Sequence, residues 1–178
     1  MRAWKNERGS ALVISLMAMM ILSALGVTLI MTTNTEQKLS RNFETAQQAL
    51  YGTDAGVERA VQDLIRESNW SRVLAGSAVS GFIDSSPYRL PDGTSADLSA
   101  MTAALQGDSD AVFGVSTANR PVWRLYAHGP LDLLLPTSVV GTRSWVAVWV
   151  GDDTGETDND PTVDSNGTIL VHAQAYAE

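Results

Sequence analysis

The chain has 178 residues, a formal charge of −8 and no cysteine. Contacts to nucleic-acid phosphates need clustered Lys and Arg, and no basic cluster follows Gly9, so composition argues against a nucleic-acid partner. Without cysteine no disulfide can staple a domain in an oxidising compartment, which leaves packing or a bound ion to hold it.

Three basic residues, Arg2, Lys5 and Arg8, sit in the first eight positions. Gly9 follows, and no charged side chain occurs from there to Thr35. Ser10 to Met31 is a run of 22 residues, rich in Leu, Met, Ile, Ala and Val and free of proline. As a helix it rises about 33 Å, against a hydrocarbon core of about 30 Å, so residues 10–31 are expected to form one transmembrane helix. A cleaved secretory signal has an apolar region of roughly 7–15 residues ending in a small-residue site. This run is longer, and the TTNTEQKLS that follows offers no such site. A core helix of a soluble protein alternates polar positions, whereas the interior here has only Ser15, Ser23 and Thr28. A plain signal anchor is the remaining alternative. Basic flanks stay cytoplasmic, so the rest of the chain is expected outside the inner membrane, in the periplasm. Residues 1–9 hold three Lys/Arg and one Glu, so the remainder carries nine basic against nineteen acidic residues, or −10.

No proline occurs before Pro87, so the helix is expected to continue through residues 32–67. Leu39, Phe43, Ala46, Leu50, Thr53, Val57, Ala60 and Leu64 recur at alternating steps of four and three, which is one helix face. Glu58, Gln62 and Arg66 mark the polar side. A coiled-coil seam fits the same period, but the small Ala and Thr positions favour packing onto a sheet. Gly52 and Gly56 each cost up to about 1 kcal/mol in a helix, which points to close approach of a strand or a second helix.

Residues 68–178 are expected to form the globular part. Ser68 to Asp97 reads as irregular, with the turn signal Pro91-Asp92-Gly93. A short helix is predicted near Asp97 to Gln106, capped by Asp97, with Leu98, Met101 and Leu105 inward and Gly107 as its stop. Strands are predicted at Val122–His128, Ser144–Gly151 and Thr168–Ala177, with an added short strand in LDLLLPTSVVG (131–141). The fold class is α+β: a long N-terminal helix, transmembrane in its first half, packed against a small antiparallel sheet.

The loop Gly151–Gly167 contains Asp152, Asp153, Glu156, Asp158, Asp160 and Asp164. Closely spaced carboxylates between two strands suit calcium, although the spacing is not that of an EF-hand. The plainer expectation is a solvated acidic loop, with no metal and no cofactor. His128 and His172 lie on predicted strands without the further ligands or base–orienter pair that zinc or catalysis needs. No catalytic constellation is visible, so the chain is not expected to be an enzyme.

The stretch RGSALVISLMAMMILSALGVTLIMTTNTEQKLSRNFETAQQALYGTDAGVERA resembles the N-terminal region of PilX-type minor pilins. The RGSALV start, the long helix, the step Ala46, Ala49, Leu50 and the run Ala55–Ala60 carry that resemblance, over about the first third of the chain. It implies a prepilin leader at residues 1–9, cut by a prepilin peptidase between Gly9 and Ser10, with N-methylation of the new terminus. The implied fold is pilin-like. The implied role is that of a minor pilin in type IV pilus assembly, at the tip or in the initiating complex, with other pilin subunits as partners and the pilus at the cell surface as destination. A type II secretion minor pseudopilin and a signal-anchored periplasmic binding domain are the alternatives. Major pilins carry Glu at the fifth mature position, where this chain has Ile14.

Overall fold

A computed structural model describes residues 8–85, 87–133 and 144–177. In chain order the elements are α1 (Arg8–Arg66), α2 (Ser71–Leu74), α3 (Leu98–Phe113), β1 (Arg124–Pro130), a 3-10 turn (Leu131–Leu133), β2 (Ser144–Asp152) and β3 (Ile169–Ala177). The chain divides into two compact units, Met1–Glu44 and Thr45–Glu178.

In the first unit every described side chain from Gly9 to Glu44 is exposed, within the continuous helix α1. Among the described residues α1 is the one helix long and apolar enough to cross a membrane. Two of the polar side chains in the apolar run are satisfied locally: the Ser15 hydroxyl donates to Ala11 O and the Thr28 hydroxyl to Ala24 O, each at 2.9 Å. A hydroxyl bonded back one turn costs little in lipid, where nothing else would accept from it.

The second unit is built around β2. Its sequence SWVAVWVGD is buried at every position, because a strand covered on both faces reads as a continuous apolar run. The strand's period of two splits that run. Trp145, Ala147 and Trp149 point to one face, Val146, Val148 and Val150 to the other. The sheet is antiparallel with the order β1-β2-β3. The valine face packs against the end of α1 through Ala60 and Leu64, with Val73 of α2 and Phe82 beside them. The tryptophan face packs under α3 through Leu98, Met101 and Leu105. A sheet covered on both faces is more than the thin helix-on-sheet core expected from sequence.

β1 runs over Arg124–Pro130 rather than the predicted Val122–His128, and its alternation of faces is broken. Its pairing with β2 slips between Leu125 and Ala127, so Tyr126 bulges and both Tyr126 and Ala127 enter the valine-face core. The outer edge of β1 is closed by residues 80–84: Asp84 N donates to His128 O at 2.9 Å and His128 N to Phe82 O at 3.0 Å. The short strand expected at 131–141 falls mostly on residues 134–143, outside the described residues. The irregular stretch from Ser68 holds one short helix, α2.

Two expectations are corrected. Gly107 does not end α3, which runs on to Phe113 and stops at Gly114, whose φ of 84° suits glycine. Gln106 explains the extension: its amide donates to Pro121 O at 2.9 Å and its carbonyl accepts from Trp123 N at 2.9 Å, tying mid-helix to the approach to β1. The second correction concerns α1. The face on the sheet is Gly52, Gly56, Ala60 and Leu64, all buried, rather than the wider stripe. Leu39, Phe43 and Leu50 are 69%, 66% and 58% exposed, and Val57 is half-buried. Steps of four drift around the helix relative to steps of 3.5, and the small residues let the helix backbone sit on the valines. Leu64→Ala is therefore expected to cost about 2–5 kcal/mol, whereas Leu50→Ala should stay within about 0.5 kcal/mol. Thermal melts of the detergent-solubilised chain, followed by tryptophan fluorescence, measure both. Equal costs would refute the shifted face.

Candidate functional site

The N-terminal candidates sit in the first turn of α1. Gly9 and Ser10 are both exposed, and a Cβ added at Gly9 would meet nothing within 4 Å. Nothing in this chain's own packing requires glycine there. Ile14, one turn on, is 66% exposed.

The acidic loop joins β2 to β3, and the structure separates its six acidic residues into two sets. Asp153, Asp158 and Asp160 shape turns. The Asp153 carboxylate accepts from Gly155 N at 2.8 Å, Asp158 from Asp160 N at 3.3 Å, and Asp160 from Thr162 N at 3.0 Å. Asp152, Glu156 and Asp164 instead converge, with one carboxylate oxygen from each lying within 4.8 Å of the others. Asp152 is the last residue of β2, paired with Ile169, and has no exposed surface. Neither of its oxygens has a well-formed hydrogen bond among the described residues, and the adjacent Asp153 N–H is the one donor that acts on its charge. Glu156 is held in place by donors: Ser165 N at 2.8 Å, Ser165 Oγ at 2.8 Å and Asn166 N at 2.9 Å. Asp164 Oδ1 accepts from Gly167 N at 2.8 Å and Thr168 N at 3.2 Å.

The electrostatics follow from that arrangement. Burial, then the Glu156 charge, push the Asp152 carboxyl up to about 7. Burial also pushes Glu156 upward, but the Ser165 and Asn166 donors outweigh it and hold that carboxyl below its usual value. Among the described residues no Lys or Arg pairs with any of the three; the ion pairs formed are Arg59–Asp63, Arg72–Glu67 and Arg120–Asp110.

Asn119 belongs to this neighbourhood and sequence reading missed it. Its side-chain amide donates to the backbone carbonyl of Glu156, and its own Oδ1 is buried and unpartnered. It lies 37 positions before Glu156 in a polar turn region, where no local pattern sets it apart. The loop is also anchored to the helical side of the unit, because Asp164 N donates to Ser71 Oγ at 3.1 Å.

His128 lies on β1 and His172 on β3, both among aromatic rings. His128 packs edge-on to Tyr88 at 4.9 Å and near Trp145 at 6.1 Å. His172 lies between Trp123 at 5.8 Å and Trp149 at 5.9 Å. Burial lowers the pKa of both, keeping them neutral among the aromatic rings. Neither belongs to the convergent group of metal-ligand side chains among the described residues.

Residues 8–58 match the family model described as PilX N-terminal. No curated protein and no solved structure matches the chain. The matched stretch begins one residue before Gly9 and ends two residues past Gly56, so it holds the junction, the apolar helix and the two sheet-facing glycines of α1. Pilins of this kind are structural components of type IV pili, and the exposed apolar helix fits a membrane anchor. Over residues 8–58, less than a third of its length, the chain is similar to the N-terminal region of PilX-type pilins, a match that supports a pilin-like protein.

Proposed function

We propose that this chain is a minor pilin: a single-pass inner-membrane precursor with residues 10–31 in the bilayer and its C-terminal part in the periplasm. Prepilin peptidase cuts it after Gly9, and it then joins a type IV pilus at the tip or in the initiating complex. The observation that carries the reading is the basic leader ending at Gly9 directly before an uncharged helix, with the PilX-type match beginning at Arg8. Positive charge before the helix favours a cytoplasmic N-terminus. The exposed Leu39, Phe43 and Leu50 support assembly with other subunits, since they contribute nothing to the chain's own core and offer apolar helix surface to neighbours.

Ile14 argues for a fibre end. A charged residue in a bilayer helix costs about 2.5–3.5 kcal/mol on insertion scales. In major pilins the Glu at this position offsets that cost by pairing with the terminal amine of a neighbouring subunit. Ile14 offers no such partner, so every shaft repeat of this subunit would leave an amine without its counter-charge, which is strongly unfavourable. At a fibre end the pairing is required on one side only. Quantitative mass spectrometry of sheared pili should find this subunit far below the major one. Near-equal abundance along the shaft would exclude the tip position.

Processing is the decisive test. Mass spectrometry of the native membrane protein should find Ser10 as its first residue. Gly9→Val should leave the full-length chain with Met1, and a Cβ at position 9 meets nothing within 4 Å among the described residues, so the fold should tolerate the change. An intact Met1 in the wild type would leave a plain signal anchor and end the pilin reading.

A further inference from the structure

The β2–β3 loop carries a feature that the pilin reading neither needs nor explains. Acidic loops are ordinarily solvated, each carboxylate satisfied by water. Asp152 is not: it has no exposed surface, neither oxygen has a well-formed hydrogen bond among the described residues, and the adjacent Asp153 N–H alone does not offset two neighbouring carboxylates. A buried ionised carboxylate requires a donor, a cation or a proton. Its neighbours worsen the balance, because Glu156 and Asp164 bring two more carboxylates to within 4.8 Å. Asp164 has committed Oδ1 to two backbone N–H groups, which leaves Oδ2 available. Asn119 braces the loop from outside, its amide donating to the backbone carbonyl of Glu156.

We propose that Asp152, Glu156 and Asp164 bind one calcium ion at the end of β2. The donor set is all oxygen, which selects a hard cation over zinc or copper. Calcium takes six to eight oxygens at about 2.3–2.6 Å in adaptable geometry, and three carboxylates with flanking carbonyl oxygen and water supply that number. Magnesium demands a tighter octahedron at about 2.0–2.1 Å and keeps more of its water, so it suits this loosely spaced group less well. The ion joins the end of β2 to the loop and, through Asp164 and its bond to Ser71, to the start of α2. In a chain without cysteine that cross-link takes the place of a disulfide. The proposal stands whether or not the subunit is a pilin.

The test is thermal melting of the full chain in detergent, with 2-mM-range calcium, with magnesium or with chelator, on the order of the affinity of extracellular calcium modules. Calcium should raise the midpoint by about 5 °C or more, as a ligand bound only by the folded state does. Isothermal titration calorimetry should give one ion per chain. Asp152→Asn keeps the shape and removes the charge, so in chelator it should melt no lower than wild type while losing the calcium shift. A merely structural Asp152 would instead lose stability under both conditions. If Asp152→Asn fails to fold, Asp164→Asn should lose the shift in its place. Overlaid calcium and chelator melts, a shift retained in either variant, or an equal shift with magnesium would overturn the proposal.

Discussion

Replacing Gly56 by leucine is expected to abolish the native core of the Thr45–Glu178 unit, and replacing it by alanine to weaken that core measurably. A Cβ at Gly56 would overlap Val146 Cγ1 and lie 3.3 Å from Val148 Cγ2. Neither valine can retreat. Both are fully buried on the central strand, hydrogen-bonded to neighbours on each side, and a β-branched side chain has few rotamers to choose from. Inserting carbon into such a contact costs about 1–3 kcal/mol for a single methyl and more for a branched chain. The better helix propensity of alanine returns up to about 1 kcal/mol, so Gly56→Ala should be destabilising on balance. Gly107 provides the opposite case. It also lies inside a helix, but a Cβ there meets nothing within 4 Å. Gly107→Ala should therefore stabilise the unit by up to about 1 kcal/mol. Midpoints that move the same way in both variants would show that the helix does not press on the valines as described.

The second large effect is expected on the other face of the sheet. Trp149→Ala should cost about 3–5 kcal/mol, a large share of the roughly 5–15 kcal/mol that holds a domain of this size. Trp149 is fully buried on β2, packs beneath α3 and donates from Nε1 to Thr102 Oγ1 at 2.8 Å. Removing it empties the sheet–α3 interface and leaves the Thr102 hydroxyl with only its bond to Leu98 O. Trp145 separates the two contributions, because it is as deeply buried but its Nε1 has no partner among the described residues. Trp149→Phe should thus cost about 1 kcal/mol more than Trp145→Phe, the worth of one buried hydrogen bond. Identical melts for the two phenylalanine variants would mean that the Thr102 bond contributes nothing.

Sequence alone determined the features that depend on neighbours along the chain. The length of an uncharged run and the basic residues before it mark a membrane helix, and both are local counts. The absence of proline before Pro87 lets that helix run on, and it does so to Arg66. β2 was legible because a Val- and Trp-rich run between turn residues has few other uses, and β1 and β3 were legible to within two residues from their apolar and aromatic positions. Asp97 was legible as a cap because its carboxylate reaches only two and three residues ahead, to Ser99 N and Ala100 N at 3.0 Å each.

Tertiary structure decided what depends on contacts between distant residues. A 3.5-residue stripe and a four-residue ridge share members on one helix, and only the sheet's shape chose Gly52, Gly56, Ala60 and Leu64 over Leu50 and Phe43. Gly107 reads as a helix stop until Gln106 is seen tied to Pro121 and Trp123 across the interface. Six acidic residues in one loop are equivalent on paper. The fold buries Asp152 at a strand end, turns Glu156 and Asp164 toward it and spends Asp153, Asp158 and Asp160 on turns. Burial and convergence are properties of the folded chain, and no spacing rule in the sequence encodes them.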